Sequence, residues 1–311
     1  EACLDLAEAE ARARGTLPDA RLCVIGMGKL GGRELGYHSD LDLIFVYPGE
    51  AAGHERYARL AQRFMSFLQM PLREGRLYQI DTRLRPSGNQ GALVIGLEGF
   101  VRYHAGQAPA AGPASAVRSQ LWERQALLRA RHVAGDAALF DEVARRAIVP
   151  AVYDAQGDRA AIAQEIRRMR ERMQAELSHE EERGRNPKTG HGGLVDAEFA
   201  AQFLQLVHGH EHPEVRSGST PEALLLLRDA GLLAEPLYQA LSGGYGFLRR
   251  VDLRLRIVHD YTVDHLPRPG PELDQLARRL GYGGPEAAAR FLAEYDRVTS
   301  AVRRAFEEVV A

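Results

Sequence analysis

The segment from Gly26 to Tyr47 constrains this chain most. A glycine cluster, Gly26-Met-Gly-Lys-Leu-Gly-Gly32, is followed by Ser39-Asp-Leu-Asp42, with only Arg33 to His38 between them. The run Leu41 to Tyr47 is apolar apart from Asp42 and stops at Pro48 and Gly49. It is too short for a typical helix and reads as a buried strand. Side chains two apart on a strand share a face, so Asp40 and Asp42 converge at its start. The segment Tyr78-Gln-Ile-Asp-Thr-Arg-Leu-Arg85 lies in a third predicted strand, Leu77 to Leu84, and offers Asp81. If the two strands are neighbours, three acids meet at one spot.

Carboxylates gathered around a point repel one another unless a cation compensates them. Hard oxygen ligands select Mg²⁺ or Mn²⁺, and Mg²⁺ is normally shared with substrate phosphates. Two such ions about 4 Å apart activate an attacking oxygen and stabilise a leaving one. Isolated strand-end aspartates are usually just solvated, but the glycine loop ahead of this pair favours the metal reading.

Gly26-Met-Gly28-Lys-Leu-Gly31 also matches the dinucleotide-binding pattern GxGxxG after a strand. Geometry argues against it. A parallel crossover needs about a dozen residues or more, and Lys29 to His38 is too short. The acid expected about 20 residues on, at the end of the next strand, is missing, because both acids stand at the start of the apolar run. No Ser or Thr follows Lys29 as a Walker A loop requires. The loop instead reads as backbone N–H groups at Gly28, Gly31 and Gly32 presented to phosphate, with Lys29 and Ser39 as added contacts. A turn that needs glycine for sterics alone is the alternative. Arg83 and Arg85 share the parity of Asp81 and can neutralise a polyphosphate; an ion pair with Asp81 is the plainer option. Lys29 and Lys188 are the only lysines among 40 basic residues, both beside glycines. Lys188 is therefore a further candidate nucleotide contact, by way of the Gly-rich lead into a helix at 194–208.

Hydrophobic residues at 45% and charged ones at 26% are ordinary for a globular protein. A helix is predicted over Glu1 to Arg14, short strands at Arg21 to Ile25 and Ala92 to Ile95, and a helix carrying Tyr57, Leu60, Ala61, Phe64, Phe67 and Leu68. An Ala/Gly/Pro-rich loop spans Tyr103 to Ser119. After Leu121 strand signals vanish, and amphipathic helices are expected around 121–150, 160–182, 194–208, 220–231, 235–260, 271–281 and 284–310. In the 194–208 helix Phe199, Phe203, Leu206 and Val207 make the apolar face. The fold expected is α+β: a small mixed-sheet domain over 1–120 followed by an all-α helical-bundle domain over 121–311.

The net charge of -2 gives no general field for nucleic acid, and no apolar run nears the ~20 residues that span a bilayer. Cys3 and Cys23 build neither a disulfide framework nor a zinc site and fit a reducing cytoplasm. A helix starting at residue 1 without Met reads as part of something longer. Arg124 and Arg131, seven apart, suggest one helical face. Asp196 and Glu198 suit a helix N-terminus. His208, His210 and His212 read as a loop leaving a helix.

The motif at 26–43, Gly-Met-Gly-Lys-Leu-Gly-Gly-Arg-Glu-Leu-Gly-Tyr-His-Ser-Asp-Leu-Asp-Leu, closely resembles the signature of glutamine synthetase adenylyltransferase, a family of DNA polymerase β-like nucleotidyltransferases. Asp-Thr-Arg-Leu-Arg-Pro-Ser-Gly (81–88), Trp-Glu-Arg-Gln-Ala-Leu-Leu-Arg-Ala-Arg (122–131) and Gly-Gly-Leu-Val-Asp-Ala-Glu-Phe (192–199) extend it in order. The resemblance implies Asp40, Asp42 and Asp81 as metal carboxylates, ATP as donor, pyrophosphate as leaving group and a tyrosine of glutamine synthetase as acceptor. Family enzymes carry an adding and a removing half. Thr82, Ser87 and Val195-Asp196 resemble the adding, C-terminal half. The PII signal protein is expected to act through regions outside this chain. The alternatives left open are the adenylyl-removing half and a catalytically silent docking module. The 105–118 loop is longer than the pattern of the family that the sequence resembles.

Overall fold

The computed structural model describes residues 1–15, 21–49, 53–73, 75, 78–105, 119–154, 158–257 and 263–311. Two compact units result, Glu1–Ala155 and Gln156–Ala311.

The first unit is built on a five-stranded sheet. Its elements run α1 (Ala2–Ala13), β1 (Cys23–Gly26), α2 (Gly28–Gly31), β2 (Leu41–Tyr47), α3 (His54–Leu68), β3 (Ile80–Asp81), β4 (Val94–Gly96), α4 (Leu97–Ala105), α5 (Leu121–Leu127), β5 (Arg131–Gly135) and α6 (Ala137–Val143). The chain then continues through π-helical turns over Ala144–Ile148 and Pro150–Asp154. Strand β1 lies antiparallel between β2 and β5. On the other side of β2, β3 runs parallel to its start and β4 parallel to its end.

Alternation along β2 sorts its side chains. Leu41, Leu43, Phe45 and Tyr47 join a core with Leu4 and Ala7 of α1 and Leu60, Ala61 and Phe64 of α3. Phe45 meets Phe64 edge-on at 5.8 Å, and Tyr47 stacks on Tyr57 at 4.6 Å. Asp42 therefore belongs to the opposite face, with Ile44 and Val46. Ile44 and Val46 are buried as well, so β2 is covered on both faces and Asp42 is its one half-buried residue.

The boundary expected at 120/121 lies inside the first unit. Strand β5, in the stretch read as helix over 121–150, pairs with β1 and ties residues beyond 121 to the sheet. Its residues are mostly half-buried, so no apolar run marks it. The third strand is also shorter than expected, at Ile80–Asp81. Leu77 of that prediction, 106–118 of the predicted loop and 258–260 of the predicted 235–260 helix lie outside the described residues.

The second unit is helical: α7 (Arg159–Leu177), α8 (Glu180–Arg183), α9 (Leu194–His208), α10 (Thr220–Asp229), α11 (Glu235–Arg256), α12 (Pro271–Arg279) and α13 (Ala287–Val309). The central helix is α9, packed by α7, α10, α11 and α13. It is buried almost all round, through Leu194, Val195, Ala197, Ala200, Ala201, Phe203, Leu204 and Leu206. Phe199 and Val207, read as part of a single apolar face, are only half-buried. No described helix is long and apolar enough to cross a membrane.

Candidate active site

The glycine loop and the acids are joined through backbone. The Met27 N–H donates to the Asp42 carbonyl at 2.9 Å, and the Leu41 N–H to Gln79 at 2.8 Å. The second bond seats β3 against the start of β2, with Asp42 and Asp81 as register partners. Adjacent strands are about 4.8 Å apart and paired residues point to the same side, so these two acids emerge side by side. Asp40 lies just before β2 begins and is exposed.

Two glycines are required here by contact. Gly28 adopts φ +51°, and a Cβ on it would collide with the Asp42 carboxylate. A Cβ on Gly31 would strike the Arg129 carbonyl oxygen. Gly28→Ala is expected to cost about 1 kcal/mol from the left-handed backbone and to lower activity at least about tenfold by displacing that carboxylate. Parallel thermal melts and rate assays check both effects; an alanine variant with the parent's rate would remove Gly28 from the site.

The amides of Gly31 and Gly32 donate to the carbonyls of Met27 (2.8 Å) and Gly28 (3.1 Å). They close the α2 turn instead of facing a phosphate, as the sequence suggested. Lys29 is half-buried on the same turn. The Ser39 hydroxyl accepts the Gly36 N–H at 3.0 Å and shapes the loop before Asp40.

Arg83 takes the ion-pair option. Its backbone N–H donates to Asp81 Oδ1 at 2.8 Å, while Nε and Nη2 reach Oδ2 at 2.8 and 2.5 Å. These side-chain bonds hold the Asp81 carboxyl below its ordinary range. Asp81 in turn raises Arg83, with smaller contributions from the charges of Asp40 and Asp42. Arg85 is spent on its own loop: Nη1 donates to Thr82 O (2.7 Å) and Oγ1 (2.8 Å), and Nε to Gly91 O (3.2 Å). Its even spacing from Asp81 carries no strand alternation, because β3 ends at Asp81.

The oxygen donors are chemically right for a hard divalent ion, but the arrangement is incomplete. Among the described residues no group of three or more His, Cys, Asp or Glu side chains is disposed to hold a metal. That holds for Asp40, Asp42 and Asp81 with the Asp81 carboxylate engaged by Arg83, and equally for His208, His210 and His212.

Sequence reasoning missed how the loop is braced. Helix α5 ends at Leu127, so Arg124 and Arg131 share no helical face. Arg124 donates to the carbonyls of Ala151 (2.9 Å) and Val152 (3.1 Å). Arg131 donates to those of Leu30 (2.7 Å) and Gly31 (3.0 Å), gripping the C-terminal end of the glycine turn. Buried Arg129 lies 3.9 Å from buried Glu34. The resemblance of 122–131 was the available signal, but it did not distinguish bracing from substrate contact. Lys188 belongs to the second unit. There its N–H donates to Asn186 Oδ1 at 3.0 Å, and its carbonyl accepts the Val195 N–H at 3.1 Å at the start of α9.

The glutamate-ammonia ligase adenylyltransferase family model matches residues 2–146, the segment holding the sheet, the glycine turn and all three acids. Relatives carrying that activity in their name align over most of the chain: one from Streptomyces avermitilis, a bifunctional glutamine synthetase adenylyltransferase/adenylyl-removing enzyme, is 35% identical over 98% of it. The chain belongs to the glutamine synthetase adenylyltransferase family. Enzymes of the same name from Xanthomonas campestris pv. campestris and Mycolicibacterium smegmatis are 36% and 37% identical over 88% and 92% of the chain. The chain spans under a third of these relatives, 30%, 29% and 28% respectively. Residues 160–310, within the helical unit, match the GlnD PII-uridylyltransferase model. The family consists of nucleotidyltransferases, as the glycine loop and acids suggested.

Proposed function

We propose that this chain transfers AMP from ATP to a tyrosine hydroxyl of glutamine synthetase, releasing pyrophosphate. The observation that carries this reading is the register of Asp42 beside Asp81, with Gly28 pressed against Asp42, inside the segment matched by the family model.

Asp40 and Asp42 are the proposed principal carboxylates for Mg²⁺ or Mn²⁺, with Asp81 completing the set once Arg83 leaves it. A divalent ion there supplies positive charge to the polyphosphate and lowers the pKa of the attacking phenol. Lys29 and Arg83 supply positive charge for the phosphates. Asp81, its carboxyl held low by Arg83, is a poor proton acceptor in this state and is better suited to orienting the phenol. Gly31, Gly32, Ser39 and Arg85 act by shaping the loops that carry these groups.

Thr82, Ser87 and Val195-Asp196 support the adding direction over removal. Response to the PII signal protein is assigned to regions outside this chain. Mass spectrometry of glutamine synthetase incubated with the chain, ATP and Mg²⁺ is expected to show one AMP on a tyrosine. A second arm supplies phosphate and pre-modified glutamine synthetase. ADP formed there, with no modification in the first arm, would assign the chain to the removing half instead. Silence in both would leave a docking role.

A further inference from the structure

We propose that Arg83 is a positioning residue that keeps the acidic site from binding metal alone, and releases Asp81 only when a metal-bound polyphosphate arrives. The inference rests on the reading of Asp40, Asp42 and Asp81 as the metal carboxylates.

Both oxygens of Asp81 are engaged by Arg83, one by its amide and one by two guanidinium N–H groups. An ion that takes Asp81 Oδ2 must compete with the guanidinium. With Asp81 so engaged, the acids that the sheet places in register form no metal-holding group among the described residues. The pair is also built to open. The Arg83 side chain is 70% exposed and that of Asp81 only 15%, so the carboxylate stays with the strand while the arginine is free to swing into solvent. Exposed pairs of this kind are weak and readily exchanged.

The charges favour an exchange over a simple loss. A bare ion must compete with Arg83 and leave that guanidinium beside a newly bound cation. A nucleoside triphosphate brings anionic oxygens with the ion, and the planar fork of arginine matches phosphate as well as carboxylate. Arg83 then trades one anion for another, and metal and nucleotide binding become positively coupled.

The test is titration of Mn²⁺, followed by electron paramagnetic resonance, into the intact chain with and without a non-hydrolysable ATP analogue. Circular dichroism confirms that each variant is folded. Arg83→Gln is expected to bind Mn²⁺ alone about tenfold more tightly and the analogue about tenfold more weakly, so that the coupling between the two shrinks. Arg83→Lys retains charge without the fork. It is expected to gain metal affinity while holding the analogue better than the glutamine variant. A side chain that merely steadies the loop would produce neither split. Parent-like Mn²⁺ affinity and coupling in both variants would overturn the proposal. Asp42→Asn separates the two levels: if it abolishes Mn²⁺ binding while the Arg83 variants match the parent, only the role of Arg83 is lost. If it leaves Mn²⁺ binding intact, the carboxylate site fails and this inference with it.

Discussion

Asp42→Asn is expected to slow AMP transfer to glutamine synthetase about a thousandfold, the scale on which removing a charge-stabilising group acts in a transition state. The substitution preserves shape and removes the charge. Asp42 has Gly28 against its carboxylate and Asp81 beside it in the neighbouring strand, so an amide there still fits but cannot compensate a cation. Because the side chain is only half-buried at the start of β2, folding should change little, with a melting midpoint within about 2 °C of the parent. Initial rates from intact-protein mass spectra, read beside a thermal melt, check both halves. A variant retaining more than about a tenth of the parent rate with a normal melt would remove Asp42 from the charge-bearing role.

The second large effect concerns stability. Asp196→Ala is expected to destabilise the helical unit by about 3–5 kcal/mol, the usual cost of breaking a buried ion pair from one side. Asp196 is fully buried at the start of α9. It accepts a hydrogen bond from Arg170, also fully buried, and lies 3.3 Å from Arg303. It further accepts the Gly192 N–H at 2.7 Å, while Arg170 Nη2 donates to Gly190 O at 2.6 Å. Burial raises the Asp196 carboxyl and lowers Arg170, each against the pull of its partner.

Removing the carboxylate takes the buried counter-charge from Arg170 and Arg303 and unpins the turn at 190–193 that follows Lys188. A loss of that size is a large share of the 5–15 kcal/mol that holds an ordinary domain, and it should lower the unfolding midpoint by about 10 °C. Arg170→Leu/Asp196→Leu, which removes charge from both sides, should recover much of it. Calorimetric melts of the three proteins decide the matter. An alanine variant as stable as the parent would mean that the network is energetically idle.

This network was not legible in the sequence. Asp196 reads there as an acid in the first turn of a helix, a favourable place in any helix. Nothing along the chain links it to Arg170 and Arg303, which come from α7 and α13. The same limit applies to Arg83 and Arg85. Both follow Asp81 at even spacing, yet one binds its carboxylate and the other is absorbed by Thr82 and Gly91.

What the chain determines by itself is local. The apolar run Leu41–Tyr47, closed by Pro48, fixes β2 to the residue, and the 194–208 segment fixes α9 to its ends. The short gap after the glycines rules out a dinucleotide crossover. Folding alone decided the rest. Strand β5 exists because β1 offers it hydrogen bonds, not because Arg131-His-Val-Ala-Gly135 is apolar. Asp81 stands beside Asp42 because α3 returns the chain parallel to β2. Periodicity records which residues avoid water; the partner of each charge depends on which distant segments the packing brings near.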